Sequence, residues 1–506
     1  MMTACAECPR NMFDDARNEL EKLLRRLTST GAMSHVDLGA VITEGVQRIG
    51  ANAYQGYLDG LFEDERAHVA QWLRPTGTEI RVHERQLETE FGRMTVRRHG
   101  HKLPREMKRF PMDELLNLPP TLYALPLREA TALDAVDVSF ERVVNRIDRT
   151  TSGHVPKRQA EEETNRAAAD FEAFYAQRTT LASNDTLSDR ALVVMSVDGK
   201  GINMRKEALR DATRKEADAR AENKGRGDPM ACKPLRKAGK RMAVVTAIWE
   251  QEPYVRTPND VLDRLGRDAR GRARSPRPER APRLQNKRIA ASVTASAAHA
   301  IASMFDEAER RDPEHQRRIA MIVDGAEHQI QVITDEATKR AMTITIVLDL
   351  IHVIHYLWKI AMILCAGEKC GAERWIAATL SILMTKTPHD VIARIRKEGG
   401  NCVLSRADSD ALDAATGYLR KNAARIHYAE FLRDGLPIAS GVIEGACRHL
   451  VEDRLGITGA RWGLIGADAV LKLRAIRSNG DWDAYWRFHL DAERRRNHPR
   501  GIGYVA

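Results

Sequence analysis

The sequence predicts a multidomain protein: a mostly helical amino-terminal region carrying one β-hairpin, then an α/β core interrupted by an all-helical insertion. Three patterns predict it. Apolar residues recur at helical spacing through the first 75 positions, residues 78–98 alternate apolar and polar, and from residue 191 short apolar runs ending in Asp alternate with helical stretches. A length of 506 residues allows about three domains. With 43% hydrophobic and 30% charged residues, the chain is neither disordered nor fibrous.

The elements follow in order. Leu20, Leu23, Leu24 and Leu27 fall at i, i+3, i+4 and i+7, one face of a helix, and a second helical pattern runs from about Val36 to Ala70, so residues 1–75 form a helical region. Ile80-Arg-Val-His and Met94-Thr-Val-Arg predict a hairpin turning near Phe91-Gly92-Arg93; with the Pro-containing segment Leu103 to Pro126 it makes up 76–126. Residues 127–185 have helix-turn-helix proportions: Ser139 to Ile147, a turn at Thr151-Ser-Gly-His, and a helix from Val155 onward to Tyr175. Lys157, Arg158 and Gln159 open that second helix, where base-reading residues sit; the alternative is a helix that only packs through Phe171, Phe174 and Tyr175.

The α/β core is expected over 190–355. Its apolar runs are Leu192 to Val197 ending at Asp198-Gly199, Arg241 to Trp249, Ile319 to Val323 ending at Asp324-Gly325, and Thr343 to Leu348 ending at Asp349. An Ala-rich helix spans about 290–310, and residues 256–288 read as a flexible basic insertion. Residues 356–435 are helical throughout, and 436–506 return to the core with a helix near Gly441 and a basic tail. Ile344 to Leu364 is apolar enough to suggest a membrane span. It carries Asp349, His352, His355 and Lys359, and one such charge costs ~3 kcal/mol at a bilayer centre, so buried protein interior is expected.

Charge and cysteine bound the function classes. The net charge is +10, yet residues 201–290 hold 24 Lys+Arg against 12 Asp+Glu, so the rest of the chain is slightly acidic. Such a block fits a polyanion partner, or a solvated loop that happens to be basic. Asp14, Asp15 and Glu19 interrupt the only candidate leader, and seven sparse cysteines suit a reducing cytoplasm. Cys5-x-x-Cys8 has metal-like spacing without a second pair, Cys365 and Cys370 do not complete one, and zinc is not expected. Neither a P-loop, His-Glu-x-x-His nor Gly-x-Ser-x-Gly occurs.

Asp198 and Asp324 each follow a strand-like run, and Glu444 lies on a downstream helix. Carboxyl ends of strands surround the crevice of an open α/β sheet. Three carboxylates gathered there repel one another unless a divalent cation joins them, and such a trio can hold two Mg²⁺ (or Mn²⁺) ions for phosphoryl transfer. Asp-Gly is also ordinary turn chemistry.

The segments Ser196-Val-Asp-Gly-Lys-Gly, Leu348-Asp-Leu-Ile-His-Val-Ile-His-Tyr-Leu-Trp, Gly441-Val-Ile-Glu-Gly-Ala-Cys-Arg-His-Leu-Val-Glu-Asp-Arg-Leu and Thr458-Gly-Ala-Arg-Trp, with the tail Leu473-Arg-Ala to Trp482-Asp-Ala-Tyr-Trp, resemble bacterial insertion-sequence transposases of the ISKra group. The resemblance runs from about residue 78 to 495. It implies a ribonuclease-H-like core, a metal-binding triad of two aspartates and a glutamate, and an all-helical insertion before the glutamate-bearing helix. In the ribonuclease-H order the helix 290–310 precedes the fourth strand, whose end is Asp324, and Asp349 ends the fifth. The implied triad is therefore Asp198, Asp324 and Glu444, with Asp349 and His352 accessory and Asp349 the alternative second ligand. A cysteine-bearing segment after the hairpin is common in that group, and residues 99–115 contain none.

The implied function is a DDE-type transposase that binds transposon ends and target DNA, acts as a homo-oligomer, and sits with the nucleoid in the cytoplasm. A non-catalytic DNA-binding regulator derived from a transposase, and a nuclease of the same fold, are the rival readings. Lys200, Arg448, Arg461 and Trp462 are candidate DNA contacts. Each has a structural alternative: a solvated turn for Lys200, a pair with Glu452 at i+4 for Arg448, core packing for Trp462.

If the basic block meets DNA, affinity falls with salt at a slope of about −0.9 per phosphate neutralised. Deleting residues 260–285 is then expected to flatten that slope and weaken binding to every sequence alike, as measured by titration at several salt concentrations. An unchanged slope would make the segment an idle loop.

Overall fold

Two units divide the chain: Met1–Gln177 together with Gly480–Ala506, and Arg178–Asn479. Within them a computed structural model describes residues 11–29, 31–72, 79–102, 108–178, 188–225, 239–262 and 281–498. Cys5 and Cys8 and the middle of the basic block, 263–280, lie outside the described residues.

The first unit opens with helices α1 (Asp14–Ser29) and α2 (His35–Trp72), then a two-stranded antiparallel hairpin, β1 (Glu79–Thr89) and β2 (Gly92–Lys102). The turn falls where the sequence places it, because Gly92 adopts φ +101°, a left-handed conformation costly for other residues. The hairpin's inner face, Leu87, Met94 and Val96, packs on Leu58 of α2 and on Met112 of the short helix α3 (Pro111–Leu115). Helices α4 (Leu125–Ala135), α5 (Phe140–Thr150) and α6 (Lys157–Ala167) bury a second core of Leu127, Val143, Ile147, Val155 and Ala160. Ser139 caps α5, accepting a hydrogen bond from the Arg142 amide. The α5–α6 turn fits against the hairpin so closely that a Cβ on Gly153 would lie 2.3 Å from the Thr89 carbonyl oxygen.

The second helix of this pair does not continue to Tyr175 as the sequence suggests. It stops at Ala167, and a separate helix α7 (Phe171–Gln177) follows.

The second unit is built on a five-stranded mixed sheet in the order β5-β4-β3-β6-β7. Strands β3 (Leu192–Asn203), β4 (Lys240–Gln251) and β5 (Gln285–Ser292) run antiparallel; β6 (Ile319–Val323) and β7 (Ile344–Leu348) run parallel to β3. Helix α8 (Asp211–Gly225) follows β3, α9 (Ala297–Arg311) precedes β6, and α10 (Glu327–Lys339) links β6 to β7. After β7 the chain is helical: α11 (Leu350–Leu364), α12 (Lys369–Thr385), α13 (Pro388–Gly400), α14 (Arg406–Lys421) and α15 (Tyr428–Arg433). Helix α16 (Gly441–Ala446) continues through π-helical Cys447–Glu452 into a last turn, Asp453–Leu455, and α17 (Leu464–Ser478) closes the unit. The run that resembled a membrane span is β7 plus α11, with Val353, Leu357, Ile360 and Ala361 buried. No helix among the described residues is long and apolar enough to cross a membrane.

Three expectations change. Strand β3 does not end at Asp198-Gly199 but runs on to Asn203, because β4 pairs with it along its whole length while the parallel partner β6 stops at the Ser196–Ile322 pair. Residues 285–292, read as the end of the basic insertion and the start of a helix, form edge strand β5, and the helix begins at Ala297. The strand was concealed because an edge offers one neighbour and little burial: only Ile289 and Ala291 are buried in it. A deletion confined to 263–280 therefore tests the basic block and leaves β5 whole. The boundary expected at 356 falls inside α11.

The last helix, α18 (Trp482–Asn497), read from sequence as the tail of the core, belongs to the first unit. Its fully buried Tyr485 donates a hydrogen bond to the Ala167 carbonyl, and its His489 lies 2.7 Å from Asp170. Arg128 of α4 is buried between Glu163 of α6 and Glu493 of α18. Replacing Tyr485 by Ala removes a large packed side chain and is expected to cost about 3–5 kcal/mol. Urea unfolding of the full chain checks this, and a loss below about 1 kcal/mol would mean that α18 merely rests on the unit.

Candidate active site

Strand register brings three carboxylates into line. Ser196 pairs with Ile322 across β3 and β6, and Val323 with Leu348 across β6 and β7. Two residues beyond the first pair stand Asp198 and Asp324; one beyond the second stand Asp324 and Asp349. The three aspartates thus stand where the parallel pairing stops, Asp198 within β3 and Asp324 and Asp349 one residue past β6 and β7, neighbouring strands roughly 4.8 Å apart.

Each carboxylate is held differently. In half-buried Asp198, Oδ1 lies 2.6 Å from the Gly199 amide and Oδ2 accepts a hydrogen bond from the Cys447 thiol at 3.4 Å. Burial and the adjacent Asp198 carboxylate push that thiol well above its ordinary range, so it stays a proton donor. In Asp324, Oδ1 accepts from the Ala326 amide at 2.8 Å, and Oδ2 has no hydrogen-bond partner among the described residues. Gly325 follows with φ +92°, and the Asp324 carbonyl accepts a hydrogen bond from the Tyr418 hydroxyl of α14. Asp349 is the most enclosed. It caps α11 by accepting from the Ile351 amide at 2.8 Å, while its other oxygen accepts from the Ser440 amide at 3.3 Å. Burial raises its pKa despite those two donors and nearby His352, and Glu444 adds to the rise.

Glu444 stands in the first turn of α16, whose amino end is capped by Ser440 accepting from the Ile443 amide. Its carboxylate is exposed and makes no hydrogen bond or ion pair among the described residues, yet it bears electrostatically on Asp349 and Cys447. Sequence reasoning missed Cys447, although it lies three positions after Glu444 on the same helix. It also missed Ser440 and two tyrosines. Tyr418 stacks on Tyr356 at 4.1 Å, and Tyr428 donates to the Leu348 carbonyl immediately before Asp349. Spacing carries no signal for a contact between residues some ninety positions apart. His352 is half-buried, its Nδ1 without a hydrogen bond among the described residues, edge-on to His355.

The remaining candidates divide. Lys200 stands on β3 rather than in a turn and pairs with Glu452 at 2.8 Å, which raises its pKa. Arg448 does not reach Glu452. The π-helical turn shifts the register from i+4 to i+5, and Arg448 meets Asp453 at 3.7 Å instead. Arg461 is exposed. Trp462 is in the core, its indole N–H donating to the Leu455 carbonyl and Arg454 lying 4.8 Å from its ring centre, so the ring is not presented to a base.

In the first unit, Lys157 and Arg158 are exposed at the start of α6 and Gln159 is half-buried; Arg158 forms a surface pair with Glu162. The hairpin arginines are occupied: Arg93 pairs with Glu88, Arg97 with Asp59, and Arg85 and Arg98 with Asp113.

The donor set suits a hard divalent cation, since every candidate atom is a carboxylate oxygen and Asp324 and Glu444 retain free acceptor positions. As they stand, no three His, Cys, Asp or Glu among the described residues group tightly enough to hold a metal ion.

Asp349 gives a pH signature. Its folded pKa lies above its unfolded value, so its contribution is fully present below the unfolded pKa and is lost as pH rises through the folded one. Asp349→Asn can keep the bond from the Ile351 amide without the charge, and the acceptor it loses towards the Ser440 amide is a cost that does not vary with pH. The stability difference between wild type and variant should therefore shift in favour of the wild type on acidification from neutral pH; a difference independent of pH would show the carboxylate to be unstrained.

No family model, curated protein or solved structure matches the chain, so its residues and their geometry carry the functional reading.

Proposed function

We propose that this protein is a DDE-type DNA transposase, cutting and joining the strands of an insertion sequence by metal-dependent phosphoryl transfer. The observation that carries the reading is the in-register row of Asp198, Asp324 and Asp349 with the unpaired Glu444 beside it. Glu444 makes no hydrogen bond or ion pair among the described residues, which leaves its carboxylate available to a cation. The order of elements supports the ribonuclease-H-like reading: five strands, a helix before the fourth, and a helical segment between the fifth strand and the helix bearing Glu444. The resemblance to ISKra-group transposases supplies the substrate.

Asp198, Asp324 and Glu444 would hold Mg²⁺ or Mn²⁺. When bound, such ions lower the pKa of an attacking water or 3′-hydroxyl and stabilise the leaving oxygen. The chain's own residues do the rest. The Cys447 thiol fixes Oδ2 of Asp198, the Tyr418 hydroxyl fixes the Asp324 peptide, and Lys200 adds positive charge beside Asp198. Both oxygens of Asp349 are engaged by backbone amides, which favours it as the bolt between α11 and α16 and Asp324 as the ligand. His352 stays accessory beside it. Exposed Arg461 is suited to phosphate, as are Lys157 and Arg158 at the end of a helix that could enter a major groove. DNA ends are read in this proposal by the first unit, and the active complex is a homo-oligomer in the nucleoid-bearing cytoplasm.

The test is incubation of the protein and Mg²⁺ with linear DNA carrying the sequences that flank its coding region. Joined as well as cut products support a transposase; cutting alone favours a nuclease of the same fold, and binding without either favours a regulator. Asp198→Asn, Asp324→Asn and Glu444→Gln should each lower cleavage by about 1,000-fold, equivalent to roughly 4 kcal/mol, with unfolding midpoints unchanged. Asp349→Asn should be milder. The reverse ranking of Asp324 and Asp349 would move the second ligand to Asp349.

A further inference from the structure

Helices α1 and α2 form an antiparallel hairpin in which Leu23 meets Gly45 and Met12 meets Gly56 and Gly60. In such a pair the residues that follow the two facing positions turn to the same flank, and those that precede them turn to the other. Leu24 and Val46 follow, so they share a flank. One helical turn back on each helix, Leu20 and Ile42 join them, with Leu38 and Tyr57 further along α2. These six side chains are 45%, 52%, 38%, 40%, 54% and 52% exposed in the order Leu20, Leu24, Leu38, Ile42, Val46, Tyr57. The opposite flank is polar: Glu44 there pairs with both Arg26 and Arg48. The face of α2 towards β2 is already used by Leu58 and by Gln55, which bonds Thr95. The hairpin is thus sealed on the sheet side, charged on one flank and apolar on the other.

We propose that this apolar flank is the interface with a second copy of the chain, the two helical hairpins packing face to face as a four-helix bundle about a two-fold axis. Area and charge select this occupant. The six side chains expose on the order of 500 Å² per copy, so pairing removes about 1,000 Å² of apolar surface, the apolar share of a standard homodimer interface of about 1,600 Å². Residues 11–60 carry seven acidic and five basic side chains, in a protein of net charge +10. A nearly neutral, slightly acidic arm repels DNA and suits a protein partner. An isologous contact also needs a self-complementary surface; Leu20, Leu24, Ile42 and Val46 supply an uncharged aliphatic centre, with Arg17 at its margin paired with Asp14.

The inference stands apart from the catalytic reading, because it is measured without DNA or metal. Sedimentation velocity of the full chain over a wide concentration range should give a dimer. The double variant Leu24→Asp/Val46→Asp should weaken association by at least about 100-fold, since it places four carboxylates in the contact. Both positions are exposed, so circular dichroism should stay that of the wild type, and so should the urea midpoint when it is measured at a concentration low enough for the wild type to be monomeric. Glu44→Gln, on the charged flank, should leave the dimer intact. To separate loss of contact from loss of folding, Val46→Lys is mixed with Val46→Asp: heterodimer formation where neither variant associates with itself places the residue at the axis. A wild-type chain that stays monomeric at every concentration, or a dimer that survives Leu24→Asp/Val46→Asp, overturns the proposal and leaves the reading of the carboxylates untouched.

Discussion

The register of two short parallel pairings governs the second unit. Four residue pairs join β3 to β6 and five join β6 to β7. A slip of one residue in either would turn an aspartate to the opposite face of the sheet, because side chains alternate with a period of two. The strands resist slipping because their inner sections are closed on both faces: Val193 to Ser196 and Ile319 to Val323 are almost entirely buried. Ser196 adds a lock of its own, its hydroxyl donating to the Ile322 carbonyl at 2.9 Å. Apolar burial deep in the sheet thus fixes the positions of charges at its rim.

The fold holds these carboxylates with donors both local and distant in the chain. Asp349 has two backbone amides, Asp324 one, and Asp198 an amide and a thiol. Two tyrosines of the helical segment work on the strand ends rather than on the carboxylates. Tyr418 and Tyr428 bind the carbonyls of Asp324 and Leu348, and burial raises the pKa of both hydroxyls, so they remain neutral donors. A fixed peptide plane fixes the direction of the neighbouring Cα–Cβ bond. Seen this way, the helical segment after β7 is part of the machinery that aims Asp324 and Asp349, and its length in sequence does not make it an independent module.

What sequence could reveal follows from the range of the interaction involved. Buried strands announce themselves by composition, so Leu192 to Val197, Ile319 to Val323 and Thr343 to Leu348 were legible, as was the helical stretch after them. The five-stranded mixed sheet was only partly so. Strand β5 has one neighbour and a polar outer face, and its Lys287 and Arg288 read as part of a basic loop. The end of β3 was misjudged because Asp-Gly is turn chemistry by local preference, and pairing with β4 overrode it. The π-helical turn after Glu444 left no mark in spacing, and it changed the partner of Arg448 from Glu452 to Asp453. Of the candidate site, the acidic residues could be named from sequence; Cys447, Ser440, Tyr418 and Tyr428 could not be assigned roles, since those depend on chain segments far apart.

The same distinction bears on how a basic protein of this kind would meet DNA. Counting arginines in the hairpin suggests a binding surface, but Arg85, Arg93, Arg97 and Arg98 are already engaged with carboxylates in the first unit. Arg98 is nearly enclosed and also lies 3.9 Å from the Phe110 ring centre. A cation paired in the free protein must break that pair before it can reach a phosphate, so its net gain is the difference between two similar interactions. Exposed charges without such partners keep the whole of it. On the proposed reading the sequence-independent part of DNA affinity therefore falls to residues such as Lys157 and Arg461, which are exposed and form no ion pair among the described residues. The hairpin arginines are engaged in pairs within the first unit instead, and their carboxylate partners are already counted in the net charge of +10.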